Sequence, residues 1–135
     1  MGYSFGKKSL ERMEGVNSDL IKVVKKALEI SEKRGKRGVD FIIPPYGGLR
    51  TAEEQNELYK KGRSKLDGFK KESYHQSGNA LDVVPYVDGA PSWDYDELMK
   101  VAVCMLQAAN DLGIHITWGG SWTNGWDAPH YQVSR

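Results

Sequence analysis

Cysteine is all but missing from this chain: Cys104 is the only one in 135 residues. No internal disulfide can form, and a zinc site built on several thiolates is excluded. A chain this long buries roughly two-thirds of the surface its unfolded form exposes, so it needs no such staple. Cys104 stands in an apolar run at helical spacing, which makes it a buried thiol rather than a nucleophile. Long apolar runs are missing too. Nothing approaches the roughly 20 residues that span a bilayer, and the N-terminal Met-Gly-Tyr-Ser-Phe-Gly-Lys-Lys has no apolar segment of the signal-peptide kind. Membrane insertion is therefore not expected, and synthesis in the cytoplasm is. Charge of one sign is also lacking. Lys+Arg 19 against Asp+Glu 18 leaves +1, so no global field argues for nucleic acid. The local basic runs at Lys33–Arg37 and Lys60–Lys71 read as solvated faces, or as a weak anchor for an anionic polymer such as a cell wall.

What is present is an ordinary globular composition, 39% hydrophobic and 27% charged, at a length suited to one domain over residues 1–135. Ser9–Gly15 has room for one or two helical turns. Asn17 or Ser18 caps a helix over Asp19–Arg34, whose Leu20, Val23, Val24, Ala27, Leu28 and Ile30 share one broad face. Val39–Ile43, β-branched and aromatic, predicts a strand. Thr51 and Glu54 form a capping-box pattern that opens a helix to about Lys61, closed by Gly62. Arg63–Glu72 is polar and basic and predicts an exposed loop. Ala80-Leu81-Asp82-Val83-Val84 begins a strand to about Val87, and Asp88-Gly89-Ala90-Pro91 is a turn. Asp94 and Glu97 open a second capped helix to about Leu112, with Leu98, Val101, Ala102, Met105, Leu106 and Ala109 at core-facing spacing. Gly113 ends it. Ile114–Trp118 alternates as a strand, Gly119–Ala128 is a long loop, and His130–Val133 is a last strand. Helices interspersed with short strands and tight turns favour an α+β fold: a small antiparallel sheet with flanking helices.

The chemistry concentrates in Ser73–Asp82, Ser-Tyr-His-Gln-Ser-Gly-Asn-Ala-Leu-Asp. On a strand, Asp82 shares its face with Ala80 and Val84. A carboxylate among apolar neighbours is costly unless it is paired or binds a metal. Seven residues upstream stands His75. A fully extended chain would hold the two over about 20 Å apart at roughly 3.3 Å per residue, so joint ligation requires a reversal, for which Gly78 supplies the freedom. His130 follows a glycine-rich loop in Trp126-Asp127-Ala128-Pro129-His130, where Pro129 keeps Ala128 extended. Two histidines and one carboxylate, with an open fourth position, are the ligand set of a catalytic zinc. Hydrolysis there also needs a proton acceptor, for which Asp127 is the best placed carboxylate, and a cation for the developing oxyanion, for which Arg50 is a candidate. His115 reads as a strand histidine facing away from Ile114 and Ile116, and Gln55, on the helix after Arg50, as either a support for the site or a surface residue of its helix. Trp122 and Trp126 either line a cleft or cover the core. Ser73 either bonds substrate or a ligand histidine, or serves a turn.

Local context makes these residues more specific. Ser73-x-His75-x-x-Gly78-x-Ala80-x-Asp82, followed by Asp127-x-x-His130, resembles the signature of a zinc peptidase superfamily. That superfamily includes lysostaphin-like endopeptidases, D-alanyl-D-alanine metallopeptidases and the hedgehog signalling domain. Over nearly the whole chain the resemblance is closer to phage endolysins that act as L-alanyl-D-glutamate peptidases. Ser4-Phe5-Gly6-x-x-Ser9 resembles their N-terminal lead, Gly48-Leu49-Arg50-Thr51-x-Glu53-Glu54-Gln55 their arginine-bearing segment, and Trp118-Gly119-Gly120-x-Trp122 the segment before their last zinc ligand. The resemblance implies that His75, Asp82 and His130 bind zinc (Zn2+), that Asp127 is general base and then acid, and that Arg50 orients or polarises the substrate carbonyl. Relatives outside the phage group often carry glutamate at the position of Asp127, so here the loop must bring a shorter side chain closer.

The expectation is a single zinc peptidase domain on a small antiparallel sheet, with no separate wall-binding domain. It would act as a monomer and cut the L-alanyl-D-glutamate bond of the peptidoglycan stem. Ser73, Trp122 and Trp126 are candidate substrate contacts. As an endolysin it would be made in the host cytoplasm and reach the wall once a separate phage protein opens the membrane. The alternatives are a D-alanyl-D-alanine carboxypeptidase or dipeptidase with the same zinc chemistry, and a zinc-dependent wall-binding module without catalysis.

Overall fold

Two amphipathic helices frame the molecule in the computed structural model of the chain, which describes residues 2–122 and 127–133. A short helix, α1 (Lys7–Arg12), precedes them. In α2 (Ser18–Lys33) the Asn17 side chain accepts the Asp19 N–H, satisfying one orphan donor of the first turn. It buries Leu20, Val23, Val24, Ala27 and Leu28. In α4 (Tyr95–Leu112) the Asp94 carboxylate accepts the Glu97 N–H, and Gly113 ends the helix at φ +69. The Glu97 side chain does not complete the expected box; it meets Lys100 Nζ at 3.1 Å. The two helices form the largest contact between elements. The buried stripe of α4 runs through Leu98, Val101, Ala102, Cys104, Met105, Ala108 and Ala109. Leu106, expected on that stripe, is exposed. Cys104 is buried, as expected, and burial raises the pKa of its thiol against the weaker opposing pull of Ser31 and Arg34.

The strands form two small antiparallel sheets rather than one. β1 (Asp40–Ile42), β3 (Val84–Val87) and β4 (Ala90–Pro91) make the first, in order β1-β3-β4. β2 (Ala80–Asp82), β6 (His130–Gln132) and β5 (Thr117–Trp118) make the second, in order β2-β6-β5. The run from Ala80 to Val87, expected as one strand, is broken at Val83, whose N–H donates to Pro129 O at 2.9 Å. Both faces of this run are covered. Leu81 and Val83 enter the main core, and Val84 packs with Leu98 and Ala128. The stretch can therefore pass from one sheet to the other without exposing either half. Asp88 and Gly89, both at positive φ, form a two-residue hairpin loop between Val87 and Ala90. Ala90 and Pro91, expected in the turn, become β4. The expected strand over Ile114–Trp118 shrinks to Thr117–Trp118, and the others match to within a residue or two. No helix among the described residues is long and apolar enough to cross a membrane.

The link from α2 to β1 is locked by a buried hydroxyl. Ser31 Oγ donates to Val39 O at 2.5 Å and accepts the Val39 N–H at 2.8 Å. Gly38 lies so close to Ser31 O that a Cβ there would sit 1.9 Å away. Ser31→Ala leaves both Val39 backbone groups buried without that partner. It is expected to cost about 1–3 kcal/mol, read as a lower denaturant midpoint with the slope unchanged.

Candidate metal centre

The reversal between His75 and Asp82 is a 3-10 turn, Tyr74–Ser77, closed at both ends. Ser73 Oγ accepts the His75 N–H at 3.2 Å, and Gln76 Oε1 accepts the Ser73 N–H at 2.9 Å. Gly78 follows at φ +76, where an added Cβ would sit 2.5 Å from Gly15 O. The chain then enters β2, which pairs with β6 so that Asp82 stands opposite His130. The remaining approach is made by Trp118 and Gly119. The Trp118 indole N–H donates to Ala128 O at 2.6 Å, and a Cβ on Gly119 would sit 2.2 Å from Asp127 O. The His130 N–H donates to Asp127 O at 3.0 Å, which fixes the turn that carries both side chains.

These elements bring His75 Nε2, His130 Nδ1 and Asp82 Oδ1 to one point. His75 Nε2 lies 3.3 Å from Asp82 Oδ1 and 3.3 Å from His130 Nδ1, and His130 Nδ1 lies 3.4 Å from Asp82 Oδ1. The outer nitrogen of each ring has its own acceptor. His75 Nδ1 donates to Gly48 O at 2.9 Å, and His130 Nε2 donates to Gln132 Oε1 at 2.7 Å. These bonds put the ring protons on the outside and leave a lone pair on each inner nitrogen. Asp82 Oδ1 is buried and has no hydrogen bond among the described residues. Three lone pairs thus face one another at a largely buried point, an arrangement that calls for a cation. A tetrahedral ion with bonds of about 2.0–2.1 Å has ligand–ligand edges of about 3.3–3.4 Å, and the three spacings match those edges. The residues present therefore fit a small tetrahedral metal ion, and His75, Asp82 and His130 form a candidate metal-binding triad.

The surroundings are tuned to match. Burial raises the pKa of the Asp82 carboxyl, but where protons take the cation's place the charge and hydrogen bonds of the two imidazolium rings outweigh it and hold the group well below the usual carboxylate range. For His130 burial disfavours the cation, and Asp82, Gln132 and Asp127 outweigh it and shift its pKa upward. Asp127 stands beside the triad, its Oδ2 3.7 Å from His130 Nδ1 and its side chain 30% exposed. Burial and then the Asp82 charge raise its pKa, against His130, His75 and Arg50. Arg50 Nη2 lies 3.3 Å from Asp82 Oδ2. Burial lowers its pKa, opposed by the charges of Asp82, Asp127 and Glu54.

The structure thus gathers five of the residues singled out from the sequence: His75, Asp82, His130, Asp127 and Arg50. Trp122 joins them, its ring centroid 5.3 Å from that of His130. Ser73 is buried, and its hydroxyl caps the turn that carries His75. Trp126 lies outside the described residues. His115, expected within a strand, is exposed and precedes β5. Gln55, read as a surface residue or a support for the site, is not at the surface: it is fully buried and bonded to Arg50. Gln132 and the Gly48 carbonyl were also missed. For Gln132 a signal existed: two residues after His130 on a strand, it shares that histidine's face.

Comparison with known proteins agrees with this geometry. Residues 1–132 match the family model described as phage L-alanyl-D-glutamate peptidase. The chain is 32% identical to the L-alanyl-D-glutamate peptidase of Escherichia phage T5, over 100% of this chain and 92% of that protein. It is 34% identical to the peptidoglycan L-alanyl-D-glutamate endopeptidase CwlK of Bacillus subtilis (strain 168), over 87% of this chain and 75% of that one. Among solved structures, the L-Ala D-Glu endopeptidase ChiX of Serratia marcescens superposes with a TM-score of 0.79 at 33% identity, over 97% of this chain and 90% of that one. The L,D-carboxypeptidase DacB from Streptococcus pneumonia shares the fold at 20% identity, with a TM-score of 0.53 over 92% of this chain and 69% of that one.

The triad predicts how metal content responds to substitution. His75→Ala and His130→Ala each abolish stoichiometric metal, measured by elemental analysis after dialysis, and His115→Ala leaves it unchanged. Gln132→Ala, which frees the His130 ring, weakens metal affinity roughly 10–100-fold in a chelator competition.

Proposed function

The chain belongs to the phage L-alanyl-D-glutamate peptidase family, and from that premise we propose that it is a zinc-dependent endopeptidase of the peptidoglycan stem, cutting between L-alanine and D-glutamate. The observation that carries the reading is the triad: two outward-anchored imidazoles and an orphaned carboxylate oxygen at tetrahedral spacing. Asp127 and Arg50 flank it on the same side chains' reach. His75, Asp82 and His130 are the proposed zinc ligands. An N/O set of three, with no thiolate, is the pattern of a catalytic rather than a structural zinc. Bound there, zinc supplies a Lewis acid that makes water nucleophilic near neutral pH and polarises a carbonyl oxygen.

The chain's own residues do the rest. Asp127 accepts a proton from the attacking water as the new C–O bond forms. It returns that proton to the nitrogen of D-glutamate as the C–N bond breaks. Its raised pKa suits both halves of the exchange. Arg50 uses three N–H bonds within the described chain, to Tyr46 O, Gln55 Oε1 and Asp82 Oδ2. A guanidinium carries five, so two remain to meet the substrate carbonyl. Trp122, tilted over His130, is the proposed wall against which the stem peptide lies. The likeness to the phage T5 protein supports an endolysin made in the host cytoplasm and acting on the wall after release.

Two measurements test this. Digestion of purified peptidoglycan is expected to expose a new D-glutamate amino terminus in mass spectra; released D-alanine instead would replace this reading with a carboxypeptidase. Asp127→Ala is expected to retain one metal ion per chain and lose about 10²–10⁴-fold in kcat. Full activity in that variant would remove Asp127 from the mechanism.

A further inference from the structure

Gln55 is the one buried residue of α3 (Ala52–Lys60), an otherwise polar helix that begins at the Thr51–Glu54 capping box. A buried amide is costly unless its hydrogen bonds are made, and here both ends are. Oε1 accepts from Arg50 Nη1 at 2.9 Å; Nε2 donates to Ser64 Oγ at 2.9 Å and to Leu66 O at 2.9 Å. Arg50 can only donate and a carbonyl can only accept, so the amide has one allowed orientation. We infer that Gln55 is a positioning residue: it keeps the Arg50 guanidinium from closing into a two-pronged pair with Asp82 and aims its free N–H groups at the substrate, and the loop over residues 63–68 fixes Gln55 in that pose. This deepens the reading of Arg50 given above and rests on it.

The geometry shows what would happen without it. The Arg50–Asp82 contact is a single 3.3 Å approach, longer than the roughly 2.7–2.9 Å of a tight charged bond and not the bidentate fork that such pairs favour. Two restraints hold the guanidinium back: Tyr46 O on Nε at 2.7 Å and Gln55 on Nη1. Tyr46 belongs to the same short loop as Arg50 and moves with it. Gln55 is anchored elsewhere, through Ser64 and Leu66. The neighbouring Asn56 Nδ2 also donates to Asp67 O at 2.9 Å, and Gln76 Nε2, beside His75, donates to Gly68 O at 2.8 Å. The loop is therefore tied to both the arginine and the histidine sides of the site. A guanidinium freed from Gln55 can close on Asp82, spending its N–H groups on a metal ligand instead of on substrate.

The test uses the metal-loaded protein. Gln55→Leu is expected to lower kcat by about tenfold or more with little change in KM, the pattern of an interaction made in the transition state. In 15N-labelled protein it also shifts or broadens the Arg50 Nε–H resonance. Gln55→Glu keeps the acceptor for Arg50 but sets a carboxylate oxygen against Leu66 O and loses the loop-side donor, so its kcat is expected to fall between those of Gln55→Leu and the wild type. In an Arg50→Ala background, Gln55→Leu is expected to cost less than about twofold, because coupled residues are non-additive. Should Gln55→Leu fold poorly, Ser64→Ala, which touches only the loop side, is expected to move the same Arg50 resonance by a smaller amount. The inference is overturned if that resonance is unmoved in these variants, or if Gln55→Leu costs as much without Arg50 as with it. Full kcat in Arg50→Ala would overturn the role of Arg50 itself, and the Nε–H spectrum would still decide whether Gln55 positions it.

Discussion

Three lone pairs pointed at one buried spot cannot be a resting arrangement of neutral imidazoles and a carboxylate. His75 Nε2, His130 Nδ1 and Asp82 Oδ1 stand within 3.3–3.4 Å of one another, and each is aimed by a bond on its far side or by its strand. Mutual repulsion would open the cluster unless a cation occupied it, or unless protons from solution took the cation's place. The upward pKa shift of His130 expresses the same demand in protons. Much of the local architecture exists to keep the cluster closed. The Gly48 carbonyl and Gln132 hold the rings, the β2–β6 register holds the carboxylate opposite His130, and Trp118 with Gly119 draws in the segment that carries Asp127.

The loop before Arg50 shows how closely backbone and site are joined. Asp82 N–H donates to Gly47 O at 2.7 Å, the Gly48 carbonyl holds His75, and Arg50 N–H donates to His75 O at 3.1 Å. Gly48 is pressed against α1 so tightly that a Cβ would lie 1.7 Å from Arg12 O. Arg12 Nη1 in turn donates to Ile43 O, and Ser9 Oγ accepts the Ile43 N–H. The N-terminal helix is thus a buttress for the loop that orients a histidine of the candidate triad and delivers the arginine.

The candidate triad was legible in the sequence through the resemblance that its local motifs carry together; the residue types alone would not have singled it out. A histidine and an aspartate separated by a glycine turn, and an aspartate three residues before a second histidine, are short-range patterns. Helices were legible for the same reason: caps and apolar spacing lie within one or two turns. What was not legible depends on contacts far apart in the chain. One strand became two because Val83 meets Pro129, 46 positions away in sequence numbering. Gln55 looked like a surface residue because helix periodicity places it on a polar helix. Only the loop folding over it, with Ser64 and Leu66 as partners, makes that position interior.

The break at Val83 also explains how one strand stretch can bear both a buried carboxylate and a core. An unbroken strand would alternate strictly, sending Asp82 and Val84 to one face of one sheet. By changing sheets after Asp82, the chain pairs that residue with His130 while Val84 pairs with Ile42 of β1. Asp82 therefore sits at the end of its ladder, beside the loop that carries Arg50, instead of in the middle of a sheet where neighbouring strands would cover both flanks. The corner costs a ladder position and leaves the Asp82 side chain 17% exposed. Arg50 and Asp127 both reach this corner: Arg50 Nη2 lies 3.3 Å from Asp82 Oδ2, and Asp127 Oδ2 lies 3.7 Å from Nδ1 of the His130 that faces it.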